Sequence, residues 1–161
     1  MLANASVQLS ESGIHPLVEE LNFDRLKWKI VRGSNNITDE IVQIAEQEYK
    51  RFLTISILNP DVGLAPTPLM DEMWHAHILD TANYMADCEL LFGKYIHHNP
   101  DFGPYSPSEA KSKIHTSSKT TIRLYNELYN ENPSFIIEGS SKCDRYDETC
   151  MKGVCGGGDG Y

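Results

Sequence analysis

TDEIVQIAEQEYKRFLTISIL, residues Thr38 to Leu58, is the stretch whose reading decides the fold class. Thr38 suits the N-cap of a helix, and Asp39 and Glu40 suit the positive end of its dipole. Ile41, Ile44, Ala45, Tyr49, Phe52 and Ile55 recur at three- and four-residue spacing, which predicts one buried stripe along an α-helix. Asn59-Pro60 stops it, and Pro60 to Pro68 places three prolines in nine residues, a rigid surface connection.

Working forward, Thr67 and Pro68 open a helix that runs to Leu79, and Thr81 is the expected cap of the next, which ends at Gly93. Lys94 to Pro104 reads as a loop. Ser106-Pro107 opens a last long helix, Ser108 to Asn130, with Ala110, Ile114, Thr121, Leu124 and Leu128 on one face. Its polar, β-branched middle predicts either a kink or a mostly solvated helix. Pro133 ends it, and Phe135 to Ile137 is a candidate docking segment.

Working backward, GSNN (Gly33 to Asn36) is a break, and Phe23 to Val31 fits a strand or a helix equally, because Leu26, Trp28 and Ile30 alternate. His15-Pro16 opens a short amphipathic segment to Asn22, and residues 1–13 read as a loose arm. The expectation is an all-α fold: one compact domain of about five helices over residues 1–138, then a flexible tail over 139–161. The tail holds six of the eleven glycines and three of the four cysteines. Its spacing, C-x6-C-x4-C through Cys143, Cys150 and Cys155, is not the C-x2-C of a zinc knuckle.

Charge narrows the partners. A net charge of −9 and a pI near 5.0 argue against nucleic acid and anionic membrane surfaces, which both need basic patches. No apolar run approaches the ~20 residues of a membrane span. The N-terminal MLANASVQLSES has no basic region or long apolar core, so a secretory signal is not expected. The resulting expectation is a cytoplasmic protein whose cysteines are thiols or metal ligands rather than disulfides.

Chemistry concentrates in Thr67 to Pro100, TPLMDEMWHAHILDTANYMADCELLFGKYIHHNP, which carries four of the six histidines. Asp71 and His75, four apart on a helix, share a face. They could be two ligands of a metal, or a carboxylate at the helix dipole that hydrogen-bonds an imidazole one turn below. His75 and His77 are separated by about 200° of helical rotation and cannot reach one ion together. Asp71 selects His75 as the inward member and leaves His77 for a neighbouring helix. After the Gly93 reversal, one of His97 and His98 returns toward the same helix. Cys88, in register with Tyr84 and Leu91, is a buried thiol or a soft ligand. The ligand candidates are therefore Asp71, His75 and His98, then His77 and Cys88, and the donor set suits zinc or iron. Trp74, Tyr84, Phe92, Tyr95, Met70, Met73 and Met85 read as core. No G-x-S-x-G, Walker A, dinucleotide or HExxH motif is present.

The pattern Asp71, Trp74-His75-x-His77, Tyr84, Cys88, Phe92-Gly93, His98 resembles the glycine-rich domain-containing protein family, a domain of unknown function. The preceding Glu-x-Glu-Tyr-x-Arg-Phe-Leu, within the Thr38 helix, and the Cys/Gly-rich tail are similar to that family as well. The resemblance implies an all-helical domain and marks the Asp/His/Cys set as a site, without supplying a reaction. Three functions follow as expectations. One is a helical protein holding a divalent metal on the His/Asp cluster. Another is a metal-free interaction module, for an unknown protein partner, in which that cluster is a hydrogen-bond network. The third is a leader-like domain ahead of a modified tail.

Overall fold

The computed structural model describes residues 8–34, 37–99, 103–105 and 107–134. The Phe135 to Ile137 segment, the tail and its three cysteines lie outside them. Every regular element among the described residues is helical: α1 (Pro16–Glu19), α2 (Asp24–Gly33), α3 (Asp39–Leu58), α4 (Pro68–Leu79), α5 (Thr81–Phe92) and α6 (Ser108–Tyr129), with a 3-10 turn at Gly103–Tyr105.

α3 is the hub, packing on α1, α2, α4 and α6, while α4 also meets α2 and α5. Thr38 Oγ1 accepts the backbone N–H of Ile41 at 3.3 Å, the expected cap. The buried stripe of α3 is Val42, Ala45, Tyr49, Phe52 and Ile55. Ile44, expected within it, is 40% exposed, because it lies a further 200° round the helix from Val42. Phe23 to Val31 resolves as helix: Leu26 and Ile30, four apart, are buried together, and the intervening Trp28 is exposed beneath the Arg32 guanidinium. Each fully buried apolar side chain contributes about 1.5–3 kcal/mol, so the shared faces of α2, α3 and α4 hold the fold together.

A single residue, Asp80, joins α4 to α5. It is the N-cap of α5, one position before the expected Thr81, and its carbonyl accepts from Tyr84 N at 2.9 Å. Tyr84, Cys88 and Leu91 form the buried stripe of α5. Met85 sits one residue off that stripe and is exposed rather than core, as is Tyr95 in the following loop.

α6 is the mostly solvated, unbroken helix among the two alternatives. The Thr116, Thr120 and Thr121 hydroxyls donate to carbonyls one turn back, so these polar groups are satisfied within the helix. Only Thr121 and Tyr125 are buried, so Leu128, expected on the inner face, stays partly exposed. Thr121 Oγ1 accepts from Ala65 N at 3.1 Å, tying the proline-rich loop to α6. Nearer its end, the Tyr125 hydroxyl donates to buried Glu48 at 2.9 Å, and Arg51 reaches both Tyr125 and Glu131. Burial holds the Glu48 carboxyl above its usual range and pushes the Tyr129 hydroxyl up to about 12. Tyr129 donates to Gly13 O, and a Cβ at Gly13 (φ +77°) would meet the Tyr129 ring at 2.9 Å.

Candidate functional site

α4 begins at Pro68, so Asp71 falls in its first turn and His75 one turn later on the same outer face. The third member comes from beyond α5. Gly93, at φ +64°, ends that helix in the left-handed conformation and turns the chain back. The return is pinned by the Tyr84 hydroxyl, which donates to Ile96 O at 2.6 Å while accepting from Trp74 Nε1 at 2.8 Å. His98 then lies on the Trp74 indole, ring centres 4.7 Å apart.

There His98 Nε2 stands 3.0 Å from Asp71 Oδ1 and 3.1 Å from His75 Nε2, and His75 Nε2 is 3.6 Å from Asp71 Oδ2. All three residues offer a ligand atom within 4.8 Å of the others. Exposure grades across the trio: the His98 side chain is 14% exposed, Asp71 35% and His75 51%. One member is anchored and two face outward. They face a cleft of about 640 Å3 whose far wall is the first half of α6, with Lys113, Ile114 and Ser117. His97 also lines the cleft, outside the trio, with its ring 4.8 Å from that of Tyr95.

The two secondary ligand candidates are placed elsewhere. His77, 200° round α4 from His75, is the buried histidine of the pair, at 3% exposure, while His75 is the surface one. His75, expected to face the core or a site, faces the cleft together with Asp71 rather than the core, and His77, left for a neighbouring helix, is the buried one. The His77 ring packs edge-on against Phe23 and Tyr84. Its Nδ1 is 3.0 Å from the Tyr49 hydroxyl and its Nε2 is 3.0 Å from Asp87 Oδ2. Burial holds the imidazole below its usual pKa despite the neighbouring Asp87 charge, and pushes the Tyr49 hydroxyl well up. Cys88 is a free, buried thiol in the α5 stripe.

Sequence reasoning did not single out Tyr49 as a polar partner, nor Asp87 or the Glu48–Arg51–Tyr125 set. The contacts of Tyr49 with His77, of Asp87 with His77 and of Tyr125 with Glu48 and Arg51 join different helices, where no local spacing signals them; only Glu48 and Arg51 are three apart on one helix. The signal for Asp87 was a carboxylate beside the inward-facing Cys88 on the helix next to α4.

The model of the UCP032817-like family matches residues 15–127, and the chain belongs to that family. The matched span contains both histidine clusters and all six helices except the last two residues of α6. No curated protein and no solved structure matches the chain.

Proposed function

We propose that this member of the UCP032817-like family is a metal-binding protein in which Asp71, His75 and His98 hold one divalent transition metal, zinc or iron. The observation that carries the proposal is the spacing of the three donors. An ion with bonds of about 2.1 Å holds its ligand atoms about 3.0 Å apart at right angles and about 3.4 Å apart at the tetrahedral angle. His98 Nε2 is 3.0 Å from Asp71 Oδ1 and 3.1 Å from His75 Nε2, both within that range, and His75 Nε2 is 3.6 Å from the second carboxylate oxygen, Oδ2. Two imidazoles and a carboxylate form a donor set common to zinc and ferrous iron, and they fill only three positions. Asp71 and His75 line the cleft, so a metal held there would supply Lewis acidity or an activated water to it. The resemblance to the glycine-rich domain-containing family supports the reading, since the three converging residues belong to its recurring pattern. An acidic, thiol-bearing chain suits the reducing cytoplasm.

The test is elemental analysis of protein purified without a histidine tag. The expected result is about one zinc or iron per chain, lost in His75→Ala. Less than about a tenth of a metal per chain, unchanged by that substitution, overturns the proposal. The competing reading, a metal-free interaction module, draws on the hydrogen bond between Asp71 and His98. A thermal melt separates the two, because EDTA lowers the Tm of a metal-stabilised fold and leaves that of a hydrogen-bonded one unchanged.

A further inference from the structure

A second cavity, of about 340 Å3, opens between α3, α4 and α5 beneath the loop that follows α3. It has room for about ten waters at ~30 Å3 each, within the range of small-ligand pockets. Phe52, Leu53, Ile57, Leu91, Phe92 and Ile96 make most of its wall apolar. Its carboxylate is Asp87, whose side chain is 25% exposed.

The hydrogen bonds around Asp87 decide what the cavity offers. A carboxylate only accepts, so His77 Nε2 carries the proton and donates to Asp87 Oδ2, and Nδ1 accepts from the Tyr49 hydroxyl. The imidazole is thereby neutral and fully used. Among the described residues no Lys or Arg ion-pairs with Asp87, so its quarter-exposed carboxylate can accept a charged donor from a ligand in a mainly apolar cavity. The positive group that also lines the cavity, Lys94, is on an exposed residue.

We propose that this cavity binds a small apolar molecule, one ring or a short branched chain, that carries a single amino group and directs it to Asp87. The inference rests on different residues from the metal site and does not depend on it.

Calorimetric titration of the full chain with benzylamine, toluene and benzoate tests it. Benzylamine is expected to bind saturably at one site, with toluene about tenfold weaker and benzoate weakest, since a hydrogen bond to a charged group is worth at least about that factor. Asp87→Asn should bring benzylamine down to the level of toluene. Val62→Trp, at a cavity-lining residue that is 41% exposed, should block all three while leaving the core intact. Should loss of the His77 contact unfold Asp87→Asn, visible in its thermal melt, the ligand series and Val62→Trp decide the matter. The proposal falls if benzylamine does not saturate, if benzoate binds as tightly, or if Val62→Trp or a folded Asp87→Asn binds benzylamine like the wild type.

Discussion

Two histidines on α4, two residues apart, stand in opposite physical situations. His77 is enclosed by aromatic rings and has a partner on each ring nitrogen, Tyr49 and Asp87. His75 stands at a cleft, and its Nε2 is 3.1 Å from a second imidazole nitrogen rather than from a carbonyl or hydroxyl. Two imidazole nitrogens and a carboxylate lie within 4.8 Å of one another there, a grouping that could hold a cation. The comparison teaches that histidine content says little, whereas the number of ring nitrogens already committed to the protein's own groups separates a structural imidazole from an available one.

Substitutions at the two positions should therefore fail in different ways. His75→Ala is expected to weaken metal binding at least about a hundredfold. Its stability without metal should stay within about 0.5 kcal/mol of wild type, read by denaturant melts in EDTA. His77→Ala should do the reverse, costing about 2–4 kcal/mol through a cavity and a stranded Asp87, with metal content per folded chain unchanged. If both variants lose metal equally without destabilisation, the distinction is wrong. Tyr49→Phe probes the buried member more gently: it leaves His77 Nδ1 without a donor and should cost about 1–2 kcal/mol.

Gly93→Ala tests the route by which His98 arrives. Nothing lies within 4 Å of the added Cβ, so the cost is the left-handed backbone alone, about 1 kcal/mol, with metal affinity reduced if the return path shifts. Glu48, whose side chain contacts Tyr125 rather than either histidine cluster, serves as a control of small size. Because its folded pKa is raised above the ordinary 4.5, ionisation is disfavoured in the native state. Its destabilising contribution is absent below pH 4.5 and grows as pH rises through the folded value. Glu48→Gln should gain stability at pH 7, lose that advantage below pH 4.5, and leave metal content untouched, all measurable by urea melts across pH.

The helical class was readable because the Thr38 cap and the α3 periodicity act within one segment. The pair Asp71 and His75 was readable for the same reason, being one turn apart. Phe23 to Val31 was not, because Leu26 and Ile30 satisfy both the helical and the alternating pattern, and only the exposure of Trp28 separates them. Asp71 marked the face that His75 shares, but an acidic neighbour does not say whether that face is core or cleft. The partners Tyr49 and Asp87 depend on how α3 and α5 lie against α4, a tertiary fact with no local spacing.

Trp74 adds a practical consequence. The chain has two tryptophans, and the other, Trp28, is solvent-exposed and under Arg32. A Trp28→Phe protein would emit from a single indole in ring contact with His98. If the proposed site takes up metal, such an emitter would distinguish the two candidates by light alone: a paramagnetic iron beside it would quench, and closed-shell zinc would not. Trp74 would thus report optically on whether the proposed site takes up an ion, and which.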